Sequence, residues 1–259
     1  MNESIVEYRT KPAGATNNPT PREGAQQYLN AAIVSQTTHE IQGAFFSVAS
    51  VGAMIKLAIE NGEETKLLLD HFMDACQTFK YKLSNFLEYA RFNAGLRDIR
   101  LELVNLKPLL TRIVNESQVL ADEKNLKISL LISEEIPGQL LSDEFRLALI
   151  CTNLVSNAIK SSLDESSVSI SVKTEDDANW SIAIEDKGEG MTMEKLKVLF
   201  NPLPWEKMTP VNSAGLGLIV TRYLVEDLLG GKLSVTSQLQ VGTTCKILLP
   251  LNNSLIPLG

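Results

Sequence analysis

Four short segments of this 259-residue chain set carboxylate, amide, ammonium, imidazole and glycine groups at spacings that suit chemistry on a flat, phosphorylated ligand. Asp186-Lys187-Gly188-Glu189-Gly190 leaves the end of a β-rich run. Alternate glycines let the backbone turn tightly beside such a ligand, and a buried carboxylate can accept a hydrogen bond from an exocyclic amine. Taken alone, the pattern is also that of a plain turn. Ala214-Gly215-Leu216-Gly217-Leu218 opens a helical pattern, where free N–H groups and the helix dipole favour phosphate; a helix start that needs close packing would use the same small residues. The run Asn153-Leu154-Val155-Ser156-Asn157-Ala158-Ile159-Lys160 puts Asn153, Asn157 and, nearly, Lys160 on one helical face. That face is polar for a helix whose Leu147, Ile150, Leu154 and Ile159 must pack on a sheet. Amide oxygens suit Mg²⁺ and a lysine suits a phosphate. The fourth segment holds His39, one of two histidines, directly before Glu40. A neutral imidazole is a competent nucleophile near pH 7, and an adjacent carboxylate can orient it and take its second proton. His71, beside Phe72, is the weaker candidate acceptor.

The elements that must hold these groups fall into two kinds. Residues 1–24 carry Pro12, Pro19 and Pro21 among Thr, Asn and Gly without periodicity, which predicts a disordered lead. From 25 to 95 the pattern is helical. Ile41, Ala44 or Phe45, Val48, Val51, Ile55 and Ile59 recur at three- and four-residue steps, Asn61-Gly62 supplies a turn, and Phe72, Cys76, Phe79, Leu83, Phe86 and Ala90 form a second seam. Two such helices make a hairpin that cannot bury both apolar faces, so pairing with a second copy into a four-helix bundle is the expected solution. Residues 96–252 change to short strands, expected near 100–104, 127–132, 167–173, 180–185, 232–236 and 243–249, with helices near 106–124, 143–162, 194–199 and 216–229. Some strands follow one another directly, so the expected class is α+β: a helical hairpin followed by an α/β sandwich rather than a regular parallel sheet.

Bulk composition narrows the functions. A formal charge of -7 and a pI near 5.0 argue against a nucleic-acid binder. Cys76, Cys151 and Cys245 are odd in number, far apart and in apolar surroundings, as expected of buried free thiols in a reducing compartment such as the cytoplasm. No signal peptide or membrane anchor is expected: the uncharged run from Ile41 to Ile55 reads as too short to span and as a buried helix face.

The ordered series Asn-x-x-x-Asn-Ala-x-Lys, Asp-x-Gly-x-Gly, Gly-Leu-Gly-Leu and Gly242-Thr243-Thr244 resembles the ATP-binding domain shared by histidine kinases, DNA gyrase and MutL. Thr38-His39-Glu40-Ile41-Gln42 resembles the phosphoacceptor box of the histidine kinases, and Arg91-Phe92-Asn93-Ala94-Gly95 their usual exit from the second helix. The resemblance implies an ATP-dependent, autophosphorylating protein-histidine kinase of a two-component system. Asn157 would be the Mg²⁺ ligand, Asn153 and Lys160 phosphate-side contacts, and Asp186 the reader of the adenine amine. Gly188, Gly190, Gly215 and Gly217, with Leu216 and Leu218, would shape the pocket, Thr243 would lie near the base, and residues 191–214, with Phe200-Asn201-Pro202-Leu203, would form a lid. His39 would receive the γ-phosphate and pass it to an aspartate of a response-regulator receiver domain. The stimulus would come from a separate sensor protein, the N-terminal lead or a longer parent chain. Two other readings share these motifs: a histidine phosphotransferase with a vestigial ATP site, and a nucleotide-gated dimeric clamp or scaffold. The family commonly has Thr or Asn four residues after the histidine and Pro five after, where this chain has Gly43 and Ala44.

Overall fold

The structure, a computed structural model, describes residues 22–200 and 216–251. These fall into two compact units, a helical one ending at Leu96 and an α/β one opening at Arg97.

The helical unit is a hairpin of α1 (Arg22–Asn61) and α2 (Lys66–Asn93). Gly62 closes the first helix with a φ of 70°, a conformation that costs a glycine nothing. The two helices meet through Phe45 and Phe79, whose ring centroids lie 5.9 Å apart, and through small buried residues such as Ala44 and Ala58. The pattern of α2 shifts toward its end: Asn85, Glu88 and Tyr89 are buried there, while Ala90 of the expected seam is exposed. Burial pushes the Tyr89 phenol up from its ordinary value, with a hydrogen bond to Asn93 opposing. Phe46, Leu57, Ile59, Leu67 and Met73 remain exposed in the single protomer. The apolar stretch of α1 is also longer than the run from Ile41 to Ile55. Within Ile33–Asn61 an 18-residue window carrying at most two charged residues has a mean hydropathy of 1.5, so by length and composition alone this helix could cross a membrane.

In the α/β unit, β1 (Glu102–Val104) pairs antiparallel with β3 (Leu140–Ser142), a strand the sequence pattern does not reveal. The main sheet comprises β2 (Lys127–Ile132), β4 (Ser167–Thr174), β5 (Asn179–Asp186), β6 (Lys232–Gln238) and β7 (Gly242–Pro250), in the order β2-β4-β5-β7-β6. Only the β2–β4 pair is parallel. Alternation along β4 buries Val168, Ile170 and Val172. With Ile182 and Ile184 of β5 they meet Leu106, Leu110 and Ile113 of α3 (Leu106–Asp122) and Leu147, Ile150 and Leu154 of α4 (Glu144–Ser161). This layered α+β architecture is the one expected. Helix α5 (Met193–Phe200) follows β5, and α6 (Leu216–Tyr223) ends in a π turn over Leu224–Leu228. That turn divides what the sequence presents as one helix to Leu229. It buries Leu224, Val225 and Leu228.

The N-terminus of α4 carries a buried polar knot. Asp143 caps it, accepting the Arg146 N–H at 3.1 Å, the Arg146 guanidinium at 2.8 Å and the Arg100 N–H at 3.0 Å. Of the three thiols, Cys151 is buried and pushed up to about 12 by that burial; Cys245, half-buried as a residue, is likewise pushed up to about 12 by burial with repulsion from Asp186 added, and Cys76 is half-buried.

On the opposite edge, the Ser181 hydroxyl (2.7 Å), Lys246 (3.0 Å) and Lys173 (3.4 Å) surround the Glu175 carboxylate. The hydrogen bond from Ser181 and the two ammonium groups hold this acid down to about 2 from its ordinary 4.5. A lowered folded-state pKa gives stability that is complete above the ordinary value and lost as pH falls toward the lowered one. Between about pH 5 and pH 2 the wild-type melting temperature should therefore fall more steeply than that of Glu175→Gln, as measured by circular dichroism. Parallel slopes for the two proteins would show that the cluster does not stabilise the fold.

Candidate functional site

The expected site residues of the α/β unit converge where the end of β5, the end of α4 and the start of α6 meet. Asp186 ends β5 and is 5% exposed. Burial pushes its acid up from the ordinary carboxylate range; hydrogen bonds from the Gly188 N–H, the Ser161 hydroxyl and the Thr243 N–H oppose this, and neighbouring Glu185 adds repulsion. The Gly188 bond is 2.9 Å. A carboxylate has about four acceptor positions, so the Gly188 donor orients the group and leaves room for an exocyclic amine.

The turn after Asp186 is held from two sides. Gly188 forms an isolated bridge with Ser162 at the end of α4, and a Cβ at Gly188 would run into the Ser161 carbonyl. Gly190 has a φ of 64°, and a Cβ there would run into the Gln238 carbonyl in the β6–β7 turn. The Gln240 N–H reaches the Glu189 carbonyl at 2.6 Å, and the Met191 N–H donates to the Ser237 hydroxyl at 2.8 Å. Ser237 also lies 2.9 Å from the Thr243 hydroxyl. Thr243 is 8% exposed and lies beside Asp186 in the β5–β7 register.

Asn153 and Asn157 share a helical face but not an environment. Asn153 is fully buried, and its amide donates to the Gly217 carbonyl at 3.0 Å and to the Thr221 hydroxyl at 3.1 Å. It therefore fixes the first turn of α6, where Leu216, Gly217 and Leu218 are half-exposed, in place of a direct phosphate-side contact. Asn157, one turn on, is exposed, as is Lys160. Gly215 and residues 201–214 of the expected lid lie outside the described residues. Spacing did not reveal Ser161, Ser237 or Thr221. Each is an ordinary hydroxyl whose role comes from an element distant in sequence; only Thr221, four residues after Gly217 on the same helix, carries a local signal.

The donor set suits Mg²⁺ held mainly by its nucleotide. Asn157 offers one hard amide oxygen, and among the described residues no group of three or more His, Cys, Asp or Glu is placed to hold a metal alone.

On the hairpin, His39 and Glu40 are both exposed on α1, and His71 is exposed on α2. The Glu40 carboxylate accepts from the Gln36 amide at 3.2 Å and lies 3.8 Å from the Lys82 ammonium.

Residues 142–253 match the family model described as the histidine kinase-, DNA gyrase B-, and HSP90-like ATPase. The sensor protein TorS of Escherichia coli is 25% identical over 99% of this chain, and the autoinducer 2 sensor kinase/phosphatase LuxQ of Vibrio parahaemolyticus is 26% identical over 86%. The chain spans about a quarter of each relative, 27% in both cases. In structure, the histidine kinase AdeS of Acinetobacter baumannii matches with a TM-score of 0.56 and 19% identity, covering 83% of this chain and 98% of that one. Full-length ShkA in complex with AMPPNP matches with a TM-score of 0.58 and 20% identity, covering 86% and 47%. Histidine kinase ThkA, in complex with the response regulator protein TrrA, matches with a TM-score of 0.55 and 16% identity, covering 89% and 65%. The resemblance carried by the four motifs is therefore shown, and with it an ATP-binding domain.

Replacing Gly190 with Ala meets both a positive φ and the Gln238 carbonyl. We expect a loss of about 2–3 kcal/mol, read as a melting-temperature drop of roughly 4–12 °C in a domain of this size, together with weaker nucleotide binding by calorimetry. An unchanged melting temperature would mean that the turn is not packed as described.

Proposed function

We propose, from the premise that residues 142–253 are an ATP-binding domain of the histidine kinase type, that this chain is the core of an autophosphorylating protein-histidine kinase in a two-component system. The observation that carries the proposal is the joining of that domain to a helical hairpin with an exposed His39-Glu40 pair. A gyrase-type clamp has no use for such a histidine. Residues 25–95 would serve as the dimerisation and phosphoacceptor domain and residues 96–252 as the catalytic domain. Exposed Phe46, Leu57, Ile59, Leu67 and Met73 support assembly into a homodimeric four-helix bundle, because apolar area left in water by one hairpin is covered by a second copy. An acceptor aspartate on a response regulator, and the cytoplasm as compartment, complete the reading.

In this mechanism Asp186 accepts the adenine amine, and Gly188 and Gly190 keep the backbone flat beneath the base. The first turn of α6, set by Asn153, presents free N–H groups toward phosphate, and Lys160 neutralises charge there. Mg²⁺, held by Asn157 and the phosphates, would supply further neutralisation. The Nε2 lone pair of His39 forms a bond to the γ-phosphorus while the bond to the β–γ bridging oxygen breaks, and that electron pair leaves with ADP. Glu40 takes the Nδ1 proton. The partners of Glu40 in this structure, Gln36 and Lys82, make exposed contacts that cost little to leave.

The deciding experiment incubates the protein with Mg-ATP labelled at the γ-phosphate, beside His39→Gln and Asn157→Ala. Protein-bound label that survives alkali, is lost in acid and is absent from both variants is the expected result. ATP binding without label would favour the nucleotide-gated clamp, and no ATP binding the phosphotransferase with a vestigial site. Gly43 allows a second test, because nothing lies within 4 Å of a Cβ built there. Gly43→Thr should fold normally and speed dephosphorylation of the response regulator relative to wild type; equal rates would show that this position does not limit that activity.

A further inference from the structure

The end of α4 gathers several groups of the proposed ATP site: Asn157, Lys160, and the Ser161 and Ser162 backbone against Gly188. A helix end carries carbonyl groups with no partner inside the helix, and here no glycine follows to close it in the usual left-handed turn. Partners from outside take them. The Ser161 carbonyl accepts the Glu189 N–H at 3.3 Å. The carbonyls of Lys160 and Ser162 both accept from one ammonium, Lys124 Nζ, at 2.9 Å each.

Lys124 is well placed to hold that grip. It follows α3, where the chain turns through Asn125 at a φ of 53°, and its own carbonyl accepts the Glu165 N–H at 2.9 Å. The lysine is thus tied to the α4–β4 connection by its backbone as well as its side chain. A cation on the last carbonyls of a helix also meets the negative end of the dipole.

We propose that Lys124 is a positioning residue of the nucleotide site: by clamping the Lys160 and Ser162 carbonyls it sets the last turn of α4 against the Asp186–Gly190 turn. It touches no nucleotide and acts through Asn157, Lys160 and Ser161. The proposal rests on the ATP-binding reading and names a residue that none of the four motifs contains.

The test measures autophosphorylation and equilibrium binding of ATP for wild type, Lys124→Met, Lys124→Gln and Lys124→Arg, with a melting curve for each. Lys124→Met should raise KM for ATP and weaken ATP binding about tenfold, the scale on which loss of a supporting hydrogen bond acts on a bound ion or substrate, while kcat per folded molecule changes less than about twofold. Lys124→Arg, which keeps the charge and several donors, should restore KM to within about twofold, and Lys124→Gln should fall between. A purely structural lysine would lower the melting temperature and the folded fraction and leave KM unmoved, and that result would overturn the proposal, as would an arginine variant no better than methionine. If Lys124→Met does not fold, the glutamine and arginine variants decide on the same readout. Failure of the wild-type protein to bind ATP would instead refute the reading on which the proposal rests.

Discussion

The close approach of the Asp186–Gly190 turn to the end of α4 is the constraint on which the nucleotide site depends. At Gly188 the separation leaves no space for a Cβ, and the Ser161 and Ser162 backbone takes that space. This contact brings the carboxylate at the end of β5 and the polar residues of α4 to the same place, though more than 25 residues separate them in sequence. The packing of α4 and α3 on the sheet, through residues such as Leu147, Ile150 and Leu110, supports the contact from below.

Around it the polar groups divide their work. Asn153 and Ser237 are committed to protein: one fixes the first turn of α6, the other joins Met191, Gly242 and Thr243. Asn157 and Lys160 project outward and are available to a ligand. Asp186 is between these cases, buried and oriented by the Gly188 N–H yet with acceptor capacity left. A buried acid with a raised pKa stays a good hydrogen-bond acceptor only while ionised, so its donors serve function as well as packing.

The hairpin follows a different logic. The apolar residues of α1 are not confined to one face, those of α2 favour one, and a single protomer leaves aromatic and aliphatic side chains from both in water. That excess supports the proposed pairing with a second copy, and it also lets the helix within Ile33–Asn61 pass, by length and composition, for a membrane-crossing one. An exposed histidine with an adjacent carboxylate is the feature that sets this long helix apart from a plain bundle helix.

Much of this was legible in the sequence because it is encoded locally. Strand alternation and helical periodicity mark β2, β4, β5 and α4; glycines at alternate positions mark the turn, and the Asn-x-x-x-Asn spacing marks one helical face. Groups that stay within a few residues of their own signal, such as the exposed His39-Glu40 pair and Asp186 at its strand end, could be located directly. The three-residue strand β3 carries too short a pattern, and the π turn after Tyr223 departs from the period used to recognise helices. Tertiary structure alone decided which of two asparagines on one face would be buried, because Gly217 and Thr221 arrive from another element. It alone brought Ser161, Ser237 and Lys124 to the site: hydroxyl and ammonium groups have no periodicity of their own, and their partners are backbone atoms whose positions exist only once the chain has folded.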